Sequence, residues 1–196
     1  MIPFYDLSLT DRVALTETAF REKRTLIERW RALEPSEAQP WNRRAAKAAE
    51  FLQDQPSVAD FGCGTMNLEH HLRPDQIYVP LDVVARDDRT LVCDLNLQPP
   101  PETGATAAAF LGVLEYLFDP PGVLQEIARR YRVLVVSYCI TDAPNAPTDR
   151  RQHAWVNDFS EADILNLFER SGWRPEQSGM IDQMQKLWRL TTTAAV

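Results

Sequence analysis

Three cysteines, three lysines and three histidines are all that the 196 residues carry of those types. No apolar run approaches the roughly 20 residues needed to span a bilayer, so no membrane partner is expected. Cys63, Cys93 and Cys139 are odd in number and widely spaced, and they form no CxxC pair. That excludes a disulfide framework and a zinc knuckle, and it argues for a reducing compartment. The opening MIPFYDLSLTDR is polar and acidic by Asp6 and Asp11, so no signal peptide is expected and a cytoplasmic location is. His70 and His71 are adjacent; on a helix they would point about 100° apart, a poor metal pair, and no metal is expected. Positive charge is also in deficit. Eighteen arginines and three lysines face 28 acids, giving a net charge of -7 and a pI near 5.0. This excludes a general affinity for phosphate backbones or anionic membranes, so nucleic acid is not expected as a partner.

What is present is the ordinary mixture of a globular chain, 44% hydrophobic and 25% charged, with no repeat and no Gly/Ser linker. Residues 10–33 read as one helix capped at Thr10 and Asp11, with Phe20, Ile27, Trp30 and Leu33 on one face. Breakers follow at Pro35-Ser36 and Pro40. A second helix, about 41–52, carries an Ala45, Ala48, Ala49, Leu52 stripe suited to close packing on a sheet. From residue 56 the pattern changes to short apolar runs at 57–61, 77–81, 90–93, 107–111 and 133–137. Continuous apolarity of this kind predicts parallel strands buried on both faces. Asp119-Pro120 starts one helix, and a capping box at Ser160–Asp163 starts another that stops at Gly172. Two closing strands, about 174–180 and 185–192, are near enough in sequence to pair antiparallel. The expected fold is α/β, a doubly wound, mostly parallel seven-stranded sheet of Rossmann-like type with an antiparallel final strand and an N-terminal helical arm. The expected division is an arm or lid over 1–55 and a cofactor-binding core over 56–196.

The chemistry-bearing residues sit at strand ends. Asp60-Phe61-Gly62-Cys63-Gly64 closes the first strand and leads into a helix-like segment with Leu68 and Leu72. A glycine turn there lets backbone N–H groups approach a ligand with no Cβ in the way. Asp82 ends the second strand twenty residues after Gly62, where a carboxylate can accept hydrogen bonds from two ribose hydroxyls. Asp94 ends the third strand, and Leu111-Gly112-Val113-Leu114-Glu115-Tyr116 follows the fourth. Four successive strand ends therefore bear acidic or glycine-rich edges on one crevice.

On these residues the chain, from about 58 to 190, resembles the class I S-adenosylmethionine-dependent methyltransferases, a small enzyme of the type 11/12-like kind. Asp60–Gly64 matches the first motif, Leu81-Asp82 the second, Cys93-Asp94-Leu95 the third, and 111–129 the stretch after the fourth strand. The resemblance implies S-adenosylmethionine as cofactor and in-line methyl transfer to a small-molecule or conjugated acceptor. It implies Gly62, Cys63 and Gly64 against the methionine part, Asp82 on the ribose, and Cys93, Asp94 and Leu95 by the adenine. Asp60, Leu111, Gly112 and Val113 complete the cofactor set. Met66 stands in place of the third glycine, Pro80 in place of another, and residues 83–90 are too few for a full helix. Glu115-Tyr116 occupies the place of a family Glu-His, so the candidate catalytic residues are Glu115, Tyr116 and His153, the last in a long proline-rich segment over 141–158. Trp41, Arg43 and Arg44 read as a solvated helix start rather than as groups over the cofactor carboxylate, and Phe20, Trp30, Phe51 and Trp173 as core. Two other readings stay open: a methyltransferase-like binding or regulatory module without turnover, and a nicotinamide-dependent oxidoreductase. The acceptor and the oligomeric state are not set by the sequence.

Overall fold

The computed structural model describes residues 3–33 and 38–193; the break expected at Pro35-Ser36 falls outside them. Five strands are parallel and buried toward the centre: β1 (Ser57–Phe61), β2 (Ile77–Asp82), β3 (Leu91–Val92), β4 (Ala107–Leu111) and β5 (Val133–Cys139). β6 (Trp173–Met180) and β7 (Gln185–Thr192) complete a seven-stranded sheet in the order β3-β2-β1-β4-β5-β7-β6. β7 runs antiparallel to both β5 and β6, so the expected mixed sheet is the one observed. The order reverses between β1 and β4, which opens a crevice at the carboxyl ends of these strands.

The strands alternate their side chains between two cores, as the period of two requires. On one face Ala59, Phe61, Ala108, Phe110, Leu134 and Val136 pack against α4 (Pro120–Ala128) and α5 (Glu161–Arg170) through Leu124, Ile127, Ile164 and Phe168. On the other, Val58, Ala107, Ala109 and Val135 meet the Ala45, Ala48, Ala49, Leu52 stripe of α3 (Asn42–Phe51). Alanine against alanine lets this helix lie close to the sheet, and it brings the start of α3 to the crevice. The Asp119 carboxylate accepts from Gly122 N–H to cap α4. Ser160 and Asp163 form the expected capping box on α5. No helix among the described residues is long and apolar enough to cross a membrane.

Three local expectations fail. The 10–33 helix is two helices, α1 (Leu9–Glu22) and α2 (Ile27–Arg31), and its cap is Ser8, whose Oγ accepts Asp11 N–H. The break follows from tertiary contacts: Lys23 turns left-handed (φ 51°), and Thr25 then reaches the Asp94 carboxylate at 3.0 Å. The segment after β1 holds only a 3-10 turn at Glu69–His71, although Leu68 is buried. Phe20 is 39% exposed rather than core, and it packs on Phe118.

The two cores should dominate stability. Leu124→Ala, at a fully buried position between α4 and the sheet, is expected to cost about 2–5 kcal/mol in urea unfolding. Leu97→Ala, at an exposed position, should change it by less than about 0.5 kcal/mol.

Candidate functional site

β1 delivers Asp60 to the crevice, and the chain then turns with left-handed residues at alternate positions: Gly62 (φ 69°), Gly64 (φ 54°) and Met66 (φ 58°). Met66 thus adopts the conformation of the glycine it replaces, at a cost of about 1–2 kcal/mol. A Cβ on Gly62 would lie 2.7 Å from the Val113 side chain, so only glycine keeps this turn close to the end of β4. The turn is stitched to β2 twice. Cys63 N–H donates to the Leu81 carbonyl, and Gly64 N–H donates to Asp82 Oδ2 at 2.8 Å.

Four carboxylates ring the crevice, three of them buried and Asp94 half-buried. Asp60 accepts the Tyr78 hydroxyl at 2.8 Å. Burial pushes its pKa up to about 7, against the pull of that hydroxyl and of Arg44. Asp82 uses both oxygens: Oδ2 on Gly64, Oδ1 on Val84 N–H at 3.1 Å and on the Arg86 guanidinium at 3.2 Å. Asp94 Oδ1 accepts from Thr25 and from Asn96 N–H, whereas its Oδ2 is buried without a partner. Glu115 is similar. Oε1 accepts Cys139 N–H at 3.0 Å, Oε2 is buried and unpartnered, and burial raises its pKa. Such orphan oxygens are costly unless a ligand supplies donors.

The arm closes over this edge. Arg86 donates from its second nitrogen to the Trp30 carbonyl at 2.9 Å, Thr25 is bonded to Asp94, and Thr16 Oγ1 donates to the Arg151 carbonyl. Below the arm lies a cavity of about 310 Å³. Asp60, Gly62, Cys63, Gly64, Asp82, Cys93, Asp94, Leu95, Leu111, Gly112, Val113, Glu115 and Tyr116 all line it. His153 does not line it. Its ring stacks on Trp155, its carbonyl accepts from Arg29, and burial lowers its pKa. The proline-rich segment brings Trp155, not His153, to the wall.

Trp41, Arg43 and Arg44 line the cavity too; Arg43 is exposed, as a solvated helix start would be, whereas Trp41 and Arg44 are half-buried and depart from that reading. Arg44 packs over Trp41 and so near Gly112 that a Cβ there would meet its guanidinium at 2.5 Å. Its place just before Ala45 is a usable signal, because a long side chain flanking a close-packed alanine stripe overhangs the sheet edge. Trp30 is a wall residue rather than core, edge-on to Tyr116 at 4.9 Å. Tyr5, Thr25 and Arg29 also join the lining, and no pattern in the sequence marks them.

Solved structures share this architecture. A 1,6-didemethyltoxoflavin-N1-methyltransferase from Burkholderia thailandensis, with 1,6-didemethyltoxoflavin and S-adenosylhomocysteine bound, is 14% identical. It superposes with a TM-score of 0.70 over 96% of this chain and 92% of its own. The mitomycin 7-O-methyltransferase is 16% identical with a TM-score of 0.64 over 96% of this chain and 70% of its own. The human N-acetylserotonin methyltransferase with S-adenosylmethionine is 14% identical with a TM-score of 0.62, over 95% of this chain and 57% of its own. No protein-family model and no curated protein matches the sequence. The chain therefore has the class I methyltransferase fold, at identities where likeness speaks for fold alone.

The Asp60 carboxyl makes stability pH-dependent. Its folded pKa lies above the ordinary value of 3.8, so the folded state keeps a proton that the unfolded state has released. The contribution is present at low pH and lost as pH rises from 3.8 to about 7. Asp60→Asn should remove this loss, and urea unfolding at pH 5 and pH 8 checks it: the variant should gain on the wild type more at pH 8 than at pH 5.

Proposed function

We propose that the chain is an S-adenosylmethionine-dependent methyltransferase acting on a small molecule. The observation that carries this reading is the pair of buried, unpartnered oxygens, Asp94 Oδ2 and Glu115 Oε2, in the wall of a cavity that also holds the glycine turn. Those features fit the cofactor. The turn at Gly62 to Gly64 offers a surface free of Cβ for the methionine part, with Asp60 for its ammonium and Arg44 for its carboxylate. Asp82 accepts three N–H donors out of about four lone-pair sites, so it retains capacity for a ribose hydroxyl. Asp94 Oδ2 suits the exocyclic amine of adenine, flanked by Cys93 and Leu95, and Leu111, Gly112 and Val113 border the same end of the sheet. The neighbours carry S-adenosylhomocysteine or S-adenosylmethionine, and the likeness of fold supports the same cofactor here.

When bound, the sulfonium supplies an activated methyl group, so the chemistry asked of the protein is modest. The chain's residues orient the acceptor and exclude water, and the arm over the strand ends does both. Where the acceptor arrives protonated, Glu115 is the proposed proton acceptor. Its orphan oxygen lies in the cavity wall, and burial raises its pKa, which makes it a stronger base. Tyr116 lines the acceptor side, and His153 is assigned no role in catalysis.

A cationic ligand beside Asp60 lowers the pKa of a carboxyl that titrates near 7, so binding should release a proton. Calorimetry of S-adenosylmethionine at pH 6.5, in buffers of different ionisation heats, is expected to report that release. It should vanish in Asp60→Asn. Asp82→Ala should weaken binding about tenfold to a hundredfold, the worth of a hydrogen bond to a charged group. Undiminished binding by Asp82→Ala would overturn the assignment.

A further inference from the structure

Arg29 is the least expected residue in the molecule. It is 7% exposed, yet among the described residues it is bonded only to neutral groups. One nitrogen donates to the Tyr116 hydroxyl at 3.2 Å and to the His153 carbonyl, and the other to the Tyr5 hydroxyl at 2.7 Å. The guanidinium is packed against the rings of Phe4, Tyr5, Trp30 and Tyr116, at 4.6–5.3 Å from their centroids. A buried cation with aromatic neighbours and no carboxylate is held at a cost unless a counter-charge arrives.

The hydroxyls show where that charge would arrive. Tyr116 Oη accepts both from Arg29 and from Trp155 Nε1, at 3.1 Å, and Tyr5 Oη accepts from Arg29. Their own hydrogens have no acceptor among the described residues. Both tyrosines line the cavity, as do Arg29, Trp30 and Trp155. Two O–H donors backed by a buried positive charge make a subsite for an anionic oxygen. The surrounding ring faces favour a flat partner.

We propose that the acceptor is a planar aromatic acid, whose carboxylate docks on the Tyr5 and Tyr116 hydroxyls under the charge of Arg29. This rests on the methyltransferase reading, because it gives the arm-side half of the cavity to the acceptor. The buried carboxylates do not oppose it. Asp60, Asp82 and Asp94 project from the sheet side, Asp82 is paired with Arg86, the charges of Arg44 and Arg150 act on Glu115, and the proposed cofactor brings its own positive charge between the sheet-side acids and the acceptor. The subsite is a recognition site; the acid group anchors the ring so that another substituent faces the methyl donor.

Calorimetric titration of 2-naphthoate, 2-naphthamide and cyclohexanecarboxylate tests it, on free protein and on protein saturated with S-adenosylhomocysteine. The expected result is binding of 2-naphthoate at least tenfold tighter than of either the amide or the non-planar acid. Arg29→Met should abolish that preference, and Tyr116→Phe, which keeps the ring, should reduce it severalfold. Unchanged affinity of both variants for S-adenosylhomocysteine would show that they are folded. Equal affinity for acid and amide, no binding of the acid, or a preference that survives in both variants would overturn the proposal. Failure of S-adenosylhomocysteine to bind would instead count against the methyltransferase reading, and the titrations on free protein still judge the subsite.

Discussion

The Asp82 carboxylate joins three parts of the chain that are far apart in sequence. One oxygen takes the Gly64 N–H and so fixes the glycine turn after β1. The other takes Val84 N–H and Arg86, and Arg86 in turn holds the Trp30 carbonyl in the arm. A single buried charge thus sets the turn, the loop that replaces the helix between β2 and β3, and the roof. Its own burial is compensated because three N–H donors surround it, one of them the Arg86 cation. A group that hydrogen-bonds Asp82 from within the cavity would therefore be felt by the arm as well as by the turn.

The roof repeats this pattern at each strand end. Thr25 meets Asp94 after β3, Arg29 meets Tyr116 after β4, and Thr16 meets the turn after β5. The contacts of Thr25 and Arg29 are polar and sit on the cavity, while the sheet beneath is held by two apolar cores. The site is built from one wall fixed by β-strand register and one wall carried by Tyr5, Thr25, α2 and the start of α3.

The sheet wall was legible in the sequence and the arm wall was not, for physical reasons. Strands β1, β4 and β5 are buried on both faces, so their apolar runs stand out, and acids placed just after them must fall on one edge. The arm carries no such constraint. The Lys23–Leu26 break depends on Thr25 reaching Asp94, a partner 69 positions away, and no local pattern encodes it. Arg29 and Trp30 read as an ordinary helix because their partners, Tyr116 and Tyr5, come together only in three dimensions. His153 misled in the opposite way: a titratable residue in a proline-rich segment near the cleft drew attention, while Trp155 two residues on is the one at the wall.

One crevice is proposed to hold one cofactor. A crystal structure of the complex with S-adenosylhomocysteine tests that claim most directly. The ligand is predicted to run from the Gly62–Gly64 turn across Asp82 to Asp94, with Asp94 Oδ2 accepting from the adenine amine. A ligand bound elsewhere, or a complex in which Asp82 and Asp94 make no contact with it, would contradict the account.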